Sequence, residues 1–138
     1  MSQPQLDSTK NGEHNMTSMI TVYLMTATLA LTTPIEGLKR PGLTIPQGMI
    51  ESGLNKRARG KAGEVGAWQV LEKYHGKVPK GLAKQAAHHE QIMDTLIRSH
   101  KGSIPEAVMR YNSWRNIKAG NRYLAKVRKR ALEYYFIA

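Results

Sequence analysis

Apolar residues recur at helical intervals through the second half of the chain, and no stretch alternates long enough to specify a convincing strand. Leu82, Ala86, Met93 and Ile97 fall on one face of a helix predicted to run to about His100. Ser103-Ile104-Pro105-Glu106 has the form of a capping box, so a further helix carrying Ala107, Val108 and Tyr111 should start there. Tyr123, Leu124, Val127 and Ala131 define the inner face of a last helix, predicted from about Gly120 to Tyr135. Leu71 to Gly81 reads as a polar loop.

The first third of the chain is patterned differently. Residues 1–15 are polar, turn-rich and aperiodic, as expected of a disordered tail. Residues 16–33 carry no charge; Thr17, Thr21, Thr28 and Thr32 line one helical face and Ile20, Leu24, Ala27 and Leu31 another, which predicts an apolar helix packed on the domain. An export signal or anchor, and a segment for membrane or assembly contact, are the competing readings. The run Met19 to Leu31 falls short of the roughly 20 apolar residues of a membrane span. A signal peptide should begin positive, whereas Lys10 is offset by Asp7 and Glu13. Thr33 to Gly42, with two prolines and two glycines, reads as a linker into a domain spanning residues 34–138.

That linker leads to Thr44-Ile45-Pro46-Gln47, which has the Thr-x-x-Gln form of a capping box with proline in the first turn. A short helix should begin about there and stop at Gly53. Glu51 then sits in the last turn, where the negative end of the helix dipole and any apolar burial disfavour the carboxylate and raise its pKa. A glutamic acid protonated near neutral pH is suited to general-acid chemistry. Gly60, Gly63 and Gly66 follow at a spacing that suits tight turns or close approach of backbone to a ligand.

Size and charge bound the alternatives. A chain of 138 residues with 41% hydrophobic composition supports one core, and the absence of cysteine excludes disulfides and thiolate metal sites. The net charge of +11 points to an anionic partner, either an envelope polymer or nucleic-acid phosphate. Arg115, Lys118, Arg122, Lys126, Arg128, Lys129 and Arg130 form a basic run that is either a solvated helix face or a polyanion surface; the latter motivates a rival reading as a helical nucleic-acid-binding module. His88-His89-Glu90 lacks the second histidine of a zinc His-Glu-x-x-His motif, since Met93 stands there, and reads as a polar helix face. Gly60-Lys61-Ala62 lacks the ending of a phosphate loop. Neither metal nor cofactor is implied.

The order of Glu51-Ser52-Gly53, then Gly63-Glu64-Val65-Gly66-Ala67-Trp68-Gln69, then Arg110-Tyr111-Asn112 resembles the lytic transglycosylases of the lysozyme-like superfamily. Their domain carries a Glu-Ser pair, a Gly-Ala-x-Gly-Leu-Met-Gln loop and an Ala-Tyr-Asn-x-Gly motif in that order. The resemblance covers roughly Leu43 to Val127. This chain departs from the pattern with Glu64 for alanine, Ala67-Trp68 for Leu-Met and Trp114 for the last glycine.

The resemblance implies a mainly helical, lysozyme-like domain acting on peptidoglycan glycan strands, at the cell envelope or from a virion. It implies Glu51 as the acid and then the base. Ser52 would support substrate binding and the geometry of the acid, Gln69 would line the sugar groove, and Tyr111 would hydrogen-bond near the acid. Asn112 and Gln69 both donate and accept, as amide-bearing sugars require. Trp68 and Trp114 are candidates to stack on sugar faces, with core burial as the alternative. Glu64 either orders its loop or serves as the second carboxylate of a hydrolytic muramidase.

Overall fold

A computed structural model describes residues 35–137, the last four by backbone alone. The tail predicted over 1–15 and the apolar helix predicted over 16–33 lie outside the described residues. Five helices form among those described: α1 (Pro41–Ser52), α2 (Glu72–His75), α3 (Leu82–Ser99), α4 (Ile104–Asn112) and α5 (Ile117–Ile137). Extended pairing is limited there to isolated antiparallel bridges, Arg59 with Val65 and Val65 with Val70. The architecture is mainly helical, as the periodicity predicts, and no helix of the described residues is long and apolar enough to cross a membrane.

Helix α1 starts three residues before the predicted capping box. Pro41 takes the first helical position, where a missing N–H costs nothing, and the N-cap residue Arg40 contributes no side-chain cap. The cap comes from α3 instead. The buried Glu90 carboxylate accepts the backbone N–H groups of Lys39 and Arg40 at 2.9 and 2.8 Å and the Thr44 hydroxyl at 3.2 Å. A negative charge is favoured at that end of the helix dipole. One turn further along α3, Asp94 pairs with the side chains of Lys39 and Arg40 at 2.9 and 2.6 Å. Pro41 and Gly42 therefore belong to α1 rather than to the linker, and Thr44 and Gln47 lie on its buried face instead of capping it.

The predicted stop is where the helix ends. Gly53 adopts a left-handed conformation (φ 66°), its N–H bonds to Met49 O, and the N–H of Leu54 reaches back to Gly48 O. These bonds satisfy the carbonyls of Met49 and Gly48, and the left-handed turn favours glycine at position 53.

The core gathers Ile45, Trp68, Val70, Met93, Ile97, Val108, Tyr123 and Val127, and α5 packs against both α1 and α4. Ser103 caps α4 by accepting Glu106 N–H at 3.3 Å, as predicted. Helix α5 starts before the predicted Gly120 because the Asn116 side chain accepts Ala119 N–H at 3.1 Å. The segment read as a polar loop after Leu71 contains the single-turn α2. The reading of His88-His89-Glu90 as a polar face is corrected by burial of His89 and Glu90.

Candidate active site

The end of α1, the loop over residues 60–71 and the end of α4 enclose a cavity of about 320 Å³. Glu51, Gly60, Lys61, Glu64, Gln69, Tyr111 and Asn112 are among the residues that line it. Four of the residues singled out by motif spacing and Glu64 thus share one cleft, although Glu51 and Asn112 are far apart in the chain.

Burial raises the Glu51 carboxyl from its ordinary 4.5 to about 7; a hydrogen bond from Tyr123 opposes the shift, and the nearby Glu64 charge adds to it. The Tyr123 hydroxyl donates to Glu51 Oε2 at 3.2 Å. Behind it Gln47 Nε2 donates to the Tyr123 oxygen at 3.5 Å, while Gln47 Oε1 lies 2.9 Å from His89 Nε2. An amide oxygen can only accept, so Nε2 of His89 carries the hydrogen and Nδ1 is left with a lone pair that finds no partner. Burial, reinforced by the charge of His88, lowers the His89 pKa to about 3 and keeps the ring neutral. Its ring stacks on Trp68 at 5.6 Å and meets the Tyr111 ring edge-on at 4.8 Å. Glu51 is therefore the half-buried, cleft-facing end of a chain of donors, His89 to Gln47 to Tyr123, that is otherwise buried.

Several assigned roles change. Tyr111 donates its hydroxyl to the Trp68 carbonyl oxygen, so it fixes the loop backbone in the cavity that Glu51 also lines, and the hydrogen bond to Glu51 itself comes from Tyr123. Trp68 is 1% exposed and donates its indole N–H to Thr44 O at 2.8 Å; it is a core residue and cannot stack on a sugar. Ser52 does not line the cavity: its hydroxyl donates to Ala67 O at 2.7 Å and accepts Asn55 N–H at 3.0 Å. It ties the end of α1 that carries Glu51 to the loop.

Gln69 and Asn112 do face the cavity. Gln69 takes a left-handed conformation (φ 51°) and donates to Gly66 O at 2.9 Å. Glu64 accepts Ala62 N–H at 3.1 Å, the loop-ordering contact, while also facing the cavity. Gly60 is what lets it do so, because a Cβ there would sit 1.9 Å from Glu64 Oε2 and 2.7 Å from Gln69 Oε1. Trp114 is 66% exposed and lies outside the positive-φ region, so the departure from glycine at that position carries no backbone strain.

Tyr123, Gln47 and His89 are the functional candidates that sequence reasoning missed. The periodicity puts Tyr123 on the inner face of the last helix, and a buried hydroxyl there requires a partner. That requirement was the available signal.

No protein-family model, curated protein or solved structure matches the chain. The functional reading rests on the chemistry of this cleft and the order of its motifs. The cleft offers a carboxyl that holds its proton near neutral pH, amide and hydroxyl groups, and a second carboxylate on an adjacent loop.

Proposed function

We propose that the chain is a divergent, lysozyme-like lytic transglycosylase that cleaves the β-1,4 bond between MurNAc and GlcNAc in peptidoglycan. The observation that carries this reading is Glu51, a carboxyl in a cleft whose pKa is raised to about 7 while a tyrosine hydroxyl fixes its orientation. In the proposed reaction the Glu51 carboxyl protonates the glycosidic oxygen and the GlcNAc leaves with a free 4-hydroxyl. The substrate's acetamido group assists at the anomeric carbon. Glu51, now a carboxylate, takes the proton of the MurNAc C6 hydroxyl as that oxygen attacks the same carbon. The products are a 1,6-anhydro-MurNAc end and a GlcNAc end, with no water consumed and Glu51 restored to its acid form.

A carboxyl with a pKa near neutrality serves both halves, since it gives up and regains its proton at similar cost. Gln69 and Asn112 supply amide groups at the cleft for the N-acetyl and hydroxyl substituents. The enzyme would act at the cell wall, from the envelope or from a virion, and needs no cofactor in this mechanism.

A hydrolytic muramidase is the second reading, favoured by Glu64 facing the same cavity, where it could activate a water. Digestion of purified peptidoglycan by the wild type and by Glu51→Gln, with mass spectrometry of the released sugars, separates these. Anhydro-muropeptides from the wild type alone are the expected result. Reducing ends would favour the muramidase. No release by either protein would overturn catalysis and leave a non-catalytic module binding glycan or nucleic acid.

A further inference from the structure

A second cavity, of about 460 Å³, is larger than the one at Glu51. Arg59, Val65 and Glu72 line it, whereas their neighbours Gly60, Glu64 and Leu71 line the first, so the loop between α1 and α2 is a wall shared by two cavities. Lys56, Arg57, Arg59, Lys77 and Lys80 converge on this second groove. Among the described residues none of these five side chains takes part in an ion pair or a side-chain hydrogen bond. The only carboxylate in the lining, Glu72, is occupied in accepting Val78 N–H at 2.8 Å.

The groove is a built feature rather than a chance of flexible side chains. The buried Gln85 amide donates to Lys56 O and to Pro79 O, both at 3.0 Å, and its oxygen accepts Ala67 N–H at 2.9 Å. One side chain therefore joins both walls of the basic groove to the loop that faces Glu51.

We propose that this groove binds a phosphodiester polymer that carries no bases, of the polyol-phosphate class. Five cations against one committed carboxylate call for a multiply charged anion, and arginine matches the paired oxygens of a phosphate. Single-stranded nucleic acid is held by aromatic platforms on which bases stack, and no aromatic residue lines this groove. Val65, Val78 and Pro79 instead offer apolar wall to a carbon backbone. The choice of a wall polymer rests on the reading of the Glu51 cleft, whereas the binding itself requires no turnover. Such a site would hold the protein on the wall while the neighbouring cleft works along the glycan.

The test is binding of the full chain to a poly(glycerol phosphate) of defined length, with a single-stranded oligonucleotide of equal phosphate count alongside. One variant combines Arg57→Gln, Arg59→Gln, Lys77→Gln and Lys80→Gln. A second removes the same charge from exposed positions on α5 with Lys118→Gln, Arg122→Gln, Lys126→Gln and Arg128→Gln. The groove variant is expected to lose about 30-fold or more in affinity, with the salt slope reduced by about one per lost phosphate contact. The α5 variant should lose less than about threefold. Equal losses in both variants would overturn the proposal in favour of general polycation behaviour. Tighter binding of the oligonucleotide, lost in the groove variant, would make the groove a nucleic-acid site instead. Glu51→Gln should bind as the wild type does, so failure of the catalytic reading and failure of this one are separately visible.

Discussion

Glu51 and Glu64 open onto one cavity from two kinds of backbone. Glu51 ends a helix whose start is clamped by Glu90 and Asp94 and whose inner face is buried, and its partner Tyr123 lies 72 residues away. Glu64 stands on a loop beside exposed residues, and its contact with Ala62 spans two residues. A carboxyl that keeps its proton near neutral pH needs distant elements to exclude water around it, whereas a carboxylate that orders its own turn needs only local geometry. The proposed division of labour, acid against loop-former, follows from that difference.

The largest effect should come from Glu51→Gln, which removes the proton donor and should lower wall cleavage by about 10²–10⁴-fold. The same change should stabilise the fold at alkaline pH. Glu51 has a folded pKa of about 7 against an ordinary 4.5, so its contribution to stability is fully present below about 4.5 and is lost as pH rises through about 7. Glutamine stays neutral throughout. Urea melts should separate variant from wild type by on the order of 2–3 kcal/mol at pH 8 and by little at pH 4. Parallel curves at both pH values would mean that Glu51 is an ordinary surface carboxylate like any on a loop.

His89→Ala comes next, and it attacks the buried side of the comparison. It removes a ring packed between Trp68 and Tyr111 and strands the Gln47 amide oxygen, at a cost of about 3 kcal/mol. The pH dependence runs opposite to that of Glu51. With a folded pKa of about 3 against 6.5, His89 contributes stability that is present above about 6.5 and lost as pH falls through about 3. Part of the acid unfolding of the wild type should therefore disappear in His89→Phe. Tyr123→Phe should act more gently, lowering cleavage several-fold by freeing the acid, on the scale of one ordinary hydrogen bond of about 1 kcal/mol. Because the Tyr123 hydrogen bond holds the Glu51 pKa down, its loss should move the alkaline limb of the pH–rate profile upward. An unmoved limb would remove Tyr123 from the site.

The same contrast explains what could be read from the chain. The position of Glu51 is legible because it depends on a local stop, Gly53, whose left-handed conformation closes the helix by bonds confined to residues 48–54. The motif glycines and Gln69 were legible for the same reason. The start of α1 was misread because Thr44-x-x-Gln47 imitates a local cap, while the real cap is a carboxylate about 50 residues away on a different helix. Once Glu90 took that role, Thr44 and Gln47 were free to face the core. Motif position makes Trp68 a candidate for sugar contact, but its burial and its bond to Thr44 O make it core; Tyr111, expected to hydrogen-bond near the acid, bonds to Trp68 O, while the bond to Glu51 itself comes from Tyr123. Such choices depend on which buried polar group lacks a partner, and spacing along a sequence does not carry that information.

The smallest effect is expected from Glu64→Gln, and it bears most directly on how the two carboxylates divide their work. The Glu64 charge helps to raise the Glu51 pKa, so neutralising it should shift the alkaline limb of the pH–rate profile downward, opposite to Tyr123→Phe. Glutamine retains an oxygen to accept Ala62 N–H, so the loop should keep its shape. If Glu51 works alone, cleavage near pH 6 should change by no more than about threefold and anhydro ends should persist. If Glu64 activates a water, the same variant should lose about 10²-fold or more, while reducing ends would already dominate the wild-type products. Rate and product read together therefore decide whether the loop carboxylate shapes the cleft or takes part in the chemistry.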